Sequence, residues 1–182
     1  METLWTLPAN LGISANPDFD YVQIKADGRK FVVAKDLLET VSKEIGWENV
    51  EVLQEFKGEV LDLMTAQHPF YDRTSLLMLG DHVTLDAGTG LVHTAPGFGM
   101  DDFMIGKQYN LPVYVNVDEQ GRMMEECGER LVGKTVDDAN QIVIDWLTEE
   151  DKLLAREDIV HSYPHDWRTK KPIIFRATDQ WF

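Results

Sequence analysis

The sequence has little cysteine, little positive charge and no long apolar run. Cys127 is the single cysteine in 182 residues, so no internal disulfide framework can form, and the chain suits a reducing compartment such as the cytoplasm. Its 17 lysines and arginines face 32 aspartates and glutamates, a formal net charge of −15. That balance argues against a protein that grips bare nucleic acid by itself, because phosphate binding needs Lys and Arg. No stretch approaches the ~20 apolar residues of a membrane-spanning helix, and the N-terminus has no basic-then-apolar signal region. No Ser or Cys stands in a nucleophile elbow, and Gly88-Thr89-Gly90 is too short for a phosphate loop. Repeats and low-complexity tracts are absent as well.

What is present reads as one globular domain over residues 1–182. Hydrophobic residues make up 43% and charged residues 27%, enough to bury a core without staples. From Asp118 to Asp158 there are 13 acidic and 5 basic residues, which reads as a solvated helical surface. From His161 to Arg176 the bias reverses, with Arg168, Lys170, Lys171 and Arg176 against Asp166. This short basic stretch can touch a phosphate backbone or merely flank a strand.

Short strands dominate the pattern. Tyr21 to Ala26 alternates, Asp27-Gly28 signals a hairpin, and Lys30 to Ala34 returns. Asp36 is placed to cap a helix bearing Leu37, Leu38, Val41 and Ile45, which Gly46 stops. Strands are expected at Val50–Phe56 and Ser75–Leu79. A pair, His82–Leu85 with Leu91–Thr94, is expected around the turn Asp86 to Gly90, with further strands at Val113–Val117, Ile159–Tyr163 and Ile173–Ala177. A short helix spans Asp101 to Tyr109, and Asp118 to Gly121 is a turn. The clearest helix runs from a Thr135 cap to Leu147, with Ala139, Ile142, Val143, Trp146 and Leu147 as its apolar stripe. The fold class is mostly β with peripheral α, expected as a compact, closed or nearly closed β-barrel. Strand and helix do not alternate as in a parallel doubly wound sheet.

Two segments invite a chemical reading. Leu91 to Asp102 reads L-V-H-T-A-P-G-F-G-M-D-D. Here a strand carries His93 into a Pro/Gly-rich loop that opens a helix at Asp101 and Asp102. A helix N-terminus attracts anions, yet two carboxylates stand there, which suits a capped helix or a site for an ammonium group. Near the start, Thr3 and Thr6 alternate with apolar side chains and can present hydroxyls to a small polar substrate. His161 and His165 have a metal-like spacing, but Pro164 opposes a helix there and Cys127 is distant, so a zinc site is not expected.

L-W-T-L-P-A-N (Leu4–Asn10), together with G-T-G-L-V-H-T-A-P-G-F-G-M-D-D (Gly88–Asp102), closely resembles the editing domain of isoleucyl-tRNA synthetases. The tail from Tyr163, Y-P-H-D-W-R-T-K-K-P-I-I-F-R-A-T-D-Q-W-F, looks like the point where that insertion rejoins the catalytic domain of bacterial-type enzymes. The resemblance covers nearly the whole chain and implies the β-barrel of the valyl/leucyl/isoleucyl-tRNA synthetase editing type. Met1, Glu2 and Leu4 break the family's run of threonines and proline ahead of Trp5, and Asp179 stands where proline is expected. The signatures of the class I ATP site are absent, so the chain looks like an insert excised from a larger synthetase.

The resemblance implies hydrolytic proofreading of valyl-tRNA(Ile), and of valyl-adenylate, by a domain of an isoleucine–tRNA ligase. It assigns catalytic work to Thr3, Thr6, Asn10, His93 and Asp102. Asp102 would pair with the α-ammonium of the aminoacyl group, and His93 would limit the side chain admitted. It assigns substrate contacts to Trp5, Leu7, Thr94, Ala95, Gly97 and Phe98. It implies no metal and no cofactor in this part, since ATP and any zinc belong to the rest of the parent chain. The implied partners are the tRNA(Ile) acceptor end carrying valine and the remainder of the synthetase, with no membrane. Three other readings stand beside it: a valine-type editing domain acting on threonyl-tRNA, a catalytically incomplete module binding the tRNA acceptor, and a structural insert.

Overall fold

The computed structural model describes residues 4–156 and 162–180, and in it the chain separates into two units. Residues 11–94 form a strand unit, while the segments before Leu11 and after Thr94 form a helical unit.

The strand unit holds β1 (Gly12–Ala15), β2 (Asp20–Ala26), β3 (Arg29–Ala34), α1 (Leu38–Ile45), β4 (Glu51–Lys57), β5 (Thr65–Gln67), β6 (Thr74–Leu79) and β7 (Leu91–Thr94). The expected hairpin forms between β2 and β3, with Tyr21 opposite Ala34 and Ala26 opposite Arg29. β4 takes the other edge of β2, giving the order β3-β2-β4. The second sheet is mixed, ordered β5-β6-β1-β7, with β1 parallel to β6 and antiparallel to β7.

One core serves both sheets. Tyr21, Val22 and Ile24 of β2 pack with Val33, Leu37, Val41 and Leu77. The buried Tyr21 hydroxyl donates to the Gly90 carbonyl at 2.6 Å and accepts from the Asn16 amide at 3.0 Å. Burying a phenol in an apolar core is tolerable only with such partners. The expected closed barrel is not found among the described residues, where the strands make two open sheets. The Ala34 amide at the end of β3 donates to the Thr89 carbonyl two residues before β7, at 2.8 Å, but no ladder of pairs continues from it.

Several local expectations are corrected. β1 reads Gly-Ile-Ser-Ala, too short and too small-chained to signal a strand, yet it occupies a central position. Its small residues are what the place demands, since a Cβ on Gly12 would lie 2.4 Å from Met78 Cε and 2.9 Å from the Leu76 carbonyl. His82–Leu85 is not a strand; the Val83 carbonyl takes the Asn16 side-chain amide instead of a ladder partner. β7 therefore pairs with β1. Leu37, not Asp36, is the N-cap of α1, behind a 3-10 turn over Lys35–Leu37.

The helical unit holds a 3-10 helix over Leu4–Ala9, α2 (Met100–Gln108) and α3 (Val136–Glu149). Thr135 caps α3 as expected, its hydroxyl accepting from the Asp138 amide at 3.2 Å. Ala139, Val143 and Leu147 recur every four residues and are the buried stripe. Asp118 organises its turn by accepting from the amides of Gln120 and Arg122 at 2.9 and 2.8 Å. Val113–Val117 is not a strand, because only Val117 finds a bridge partner, Met123. Ile173–Ala177 is extended but unladdered, tied by single bonds such as Ala177 N–H to the Gly97 carbonyl at 2.8 Å. Most of the expected strand Ile159–Tyr163 lies outside the described residues.

Candidate functional site

The predicted site residues divide between the units. Trp5, Thr6, Leu7, Asn10, Ala95, Gly97, Phe98 and Asp102 belong to the helical unit, His93 and Thr94 to the strand unit, and Thr3 lies outside the described residues.

In the helical unit the two motifs meet. The segment Leu4–Ala9 is a 3-10 helix that buries Trp5, Thr6, Pro8 and Ala9. The Trp5 amide donates to Asn140 Oδ1 at 3.0 Å, which fastens the segment to α3. The Trp5 ring meets the Phe98 ring edge-on, with centroids 5.0 Å apart, a favourable aromatic geometry. Asn10 is buried and its amide donates to the Leu7 carbonyl at 3.0 Å, while Leu7 is half-buried.

The loop from Ala95 to Gly99 is fixed on several sides. Asp102 Oδ2 accepts from the Ala95 amide at 2.8 Å, so the carboxylate reaches back to the loop entrance. The N-cap of α2 is Gly99, and Asp101 and Asp102 stand in the first turn that follows it. Within the loop the Phe98 amide donates to the Ala95 carbonyl at 3.0 Å. Gly97 cannot be larger, since a Cβ there would stand 2.2 Å from the Tyr114 carbonyl oxygen. Pro96 leans on Gly106, where a Cβ would come within 2.7 Å of its ring. Beside the loop opens a hollow of about 400 Å³, walled by Phe98, Phe103, Phe175 and Arg176. Arg176 is held there by donating from Nε to the Val117 carbonyl at 2.8 Å.

In the strand unit, β7 sets His93 opposite Ile13 of β1. The side chain is half-buried. Burial, with a smaller contribution from nearby His68, lowers its pKa from 6.5 to about 4. His93 is therefore a neutral imidazole at neutral pH, with one donor and one acceptor nitrogen, and not a cation. His68, which sequence reasoning missed, is only 2% exposed, and its Nδ1 accepts from the amides of Phe70 and Tyr71 at 3.0 and 3.2 Å. The signal was present in His68-Pro69-Phe70-Tyr71, a histidine entering a proline turn with aromatic neighbours. The Thr94 hydroxyl is fully buried and bonded to Ser14 Oγ at 2.8 Å, so it serves the packing of β7 on β1.

Among the described residues no three His, Cys, Asp or Glu side chains gather to hold a metal ion. Cys127 is buried with its thiol directed to the Asn116 carbonyl, and His161 lies outside the described residues. No helix among the described residues is long and apolar enough to cross a membrane.

The fold is that of synthetase editing domains. The crystal structure of GlLeuRS-CP1 superposes with a TM-score of 0.65 at 16% identity, covering 91% of this chain and 83% of that one. The editing domain of the P. knowlesi cytosolic leucyl-tRNA synthetase superposes with a TM-score of 0.60 at 10% identity, covering 84% and 80%. In sequence the chain is a close relative of one segment of isoleucine–tRNA ligases. It is 65% identical to that of Enterococcus faecalis over 180 residues, which is 99% of this chain and 19% of that protein. It is 57% identical to that of Brevibacillus brevis and 56% to that of Bacillus cereus, each again over 99% of this chain and 19% of the relative. The chain thus spans about a fifth of the length of the curated relatives it matches. No protein-family model matches it.

Proposed function

We propose that this chain is the editing domain of an isoleucine–tRNA ligase and that it hydrolyses valine wrongly esterified to tRNA(Ile), with valyl-adenylate as a second substrate. The observation that carries the reading is 65% identity to an isoleucine–tRNA ligase over 99% of the chain. Both motifs that suggested editing lie inside that match. In this reading the whole chain works as one domain, its two sheets around a single core are the opened barrel of the editing type, and its setting is the cytoplasm. ATP chemistry belongs to the rest of the parent enzyme.

The physical need is simple. Valine lacks one methylene of isoleucine, about 0.8 kcal/mol of burial, so a pocket built for isoleucine rejects valine only ~10–200-fold, and this enzyme family is the standard worked case of that limit. A second pocket can invert the comparison, because forcing an extra methylene into a close-packed site costs ~1–3 kcal/mol. Valine then enters and is hydrolysed, while isoleucine is refused.

Roles follow from the residues. Asp102 is oriented by the Ala95 amide, and a carboxylate has lone pairs for about four hydrogen bonds, so it can also receive the α-ammonium of the aminoacyl group. His93, neutral and half-buried, limits side-chain size. Trp5 and Leu7 supply apolar wall, and Thr3, Thr6 and Asn10 hydrogen-bond the substrate or the attacking water. The rigid backbone at Ala95, Gly97 and Phe98 approaches the terminal adenosine, and the hollow beside it has the size and apolar lining that suit a nucleoside. No protein nucleophile is needed. An oriented water attacks the ester carbonyl, the acyl–oxygen bond breaks, and the ribose hydroxyl leaves with a proton, with proximity and electrostatics supplying the acceleration.

A single-turnover assay with valyl-tRNA(Ile), isoleucyl-tRNA(Ile) and threonyl-tRNA(Val) tests the reading. Hydrolysis of the first alone supports it. Preference for the third favours a valine-type editing domain. Tight binding of a non-hydrolysable valyl-adenosine analogue without turnover marks an incomplete acceptor-binding module.

A further inference from the structure

In a chain of net charge −15, one turn near the C-terminus carries clustered positive charge beside an open aromatic ring. Residues 165–172 form a closed turn, with His165 bridged to Pro172. The Asp166 amide donates to the Lys171 carbonyl and the Lys170 amide to the Asp166 carbonyl, each at 2.9 Å. The Asp166 carboxylate turns inward and accepts from the amides of Arg168 and Thr169 at 3.2 and 2.6 Å. Bonds from Thr169 first, and from the Arg168 amide, hold its pKa below the usual carboxylate value, so it stays ionised as the one acid among the three cations of the turn. Arg168, Lys170 and Lys171 are all exposed, and no ion pair among the described residues engages them. Trp167 is 72% exposed, and the Arg168 guanidinium lies over its ring at 4.7 Å.

An exposed tryptophan backed by arginine, with two lysines alongside, combines a stacking surface for an unpaired base with contacts for phosphates. Resting on the function proposed above, we infer that the Trp167–Lys171 turn is an RNA-docking element. It would grip the sugar-phosphate backbone and one unpaired base near the acceptor end of the tRNA. The side chains concerned are not those that build the turn, whose bonds run through backbone atoms and Asp166, so they can be exchanged without unmaking it.

The test uses the 182-residue chain and an acceptor-stem RNA hairpin with a single-stranded 3′ end. In Arg168→Glu/Lys171→Glu, affinity at low salt should fall about tenfold, and the slope of log affinity against log salt should shrink by about two. Trp167→Ala should weaken binding several-fold with the slope unchanged. Lys30→Glu/Lys43→Glu, which makes the same charge change on the strand unit, should leave both quantities near wild type. Hydrolysis of a small valyl ester of adenosine, which has no stem to grip, should be equal in all variants. Equal RNA affinity and slope in the wild type and the Arg168/Lys171 variant overturns the inference. So does a loss matched by the Lys30/Lys43 control, or a defect confined to association with the remainder of the synthetase. If the wild type hydrolyses no valyl ester yet the turn variants still lose RNA affinity, the editing reading fails and the docking element stands.

Discussion

The Asp102 carboxylate accepts a hydrogen bond from the backbone amide of Ala95 at 2.8 Å. One side chain thus closes the glycine-rich loop and presents negative charge at it. The two duties can be separated by substitution.

Asp102→Asn keeps an oxygen for the Ala95 amide and removes the charge. Its stability should stay within about 1 kcal/mol of wild type, while deacylation of valyl-tRNA falls at least a hundredfold. Asp102→Ala removes both, so it should also lose about 2 kcal/mol, the usual cost of leaving a charge-assisted bond unmade. Urea denaturation and single-turnover deacylation, run on both variants, check this. Survival of activity in Asp102→Asn within a few-fold would remove the ammonium anchor.

Gly97→Ala should destabilise the chain by about 1–3 kcal/mol, because the added methyl would stand 2.2 Å from the Tyr114 carbonyl oxygen. The loop can relieve the overlap only by moving away from residue 114. Activity should therefore fall along with the denaturation midpoint.

Tyr21→Phe deletes a hydroxyl that serves the Gly90 carbonyl and the Asn16 amide inside the strand unit. Two backbone groups lose their partner for no gain in volume, and the expected cost is about 1–3 kcal/mol. Thermal denaturation followed by circular dichroism measures it.

His93 gives stability a pH dependence of defined sign. Its pKa falls from 6.5 to about 4 on folding, so between those values the unfolded chain binds a proton that the folded chain refuses. Above pH 6.5 the ring is neutral in both states and stability is unaffected; as pH falls a penalty against protonating the buried ring grows, and it is complete below pH 4. Over that window it amounts to about 3 kcal/mol. His93→Gln should flatten the corresponding part of the stability–pH curve, and an unaltered slope would mean that other groups produce it.

His93→Ala should enlarge the space that the imidazole fills and admit a longer side chain. Under the proposed function, the expected result is measurable hydrolysis of isoleucyl-tRNA(Ile) by this variant, with none by the wild type. Unchanged discrimination would take His93 out of the sieve.

The sequence disclosed those elements whose local chemistry agrees with their final setting. The β2–β3 hairpin, the Thr135 cap and the helix after Gly99 all carry their own turn or cap signals. It concealed β1, because Gly12 and Ser14 carry no strand propensity and the place is defined by Met78 and Leu76 across the sheet. It overstated Val113–Val117, where among the described residues only Val117 finds a bridge partner. The two motifs were visible as strings, and the edge-on contact of Trp5 with Phe98 is what joins them. The bond from Trp5 to Asn140 spans 135 residues, and no local rule reports such a separation.

That separation also dictates an order of events during synthesis. Residues 11–94 interrupt the helical unit in sequence, so the ribosome delivers Trp5 long before Asn140 exists. The strand unit can collect all its partners first, since its seven strands are contiguous in the chain. Once folded, it shortens the tether between Asn10 and Ala95 and lowers the entropic penalty of joining them. The opening turn is thus born early and docked late. A ribosome stalled before residue 140 should expose the Trp5 segment to protease while residues 11–94 already resist it.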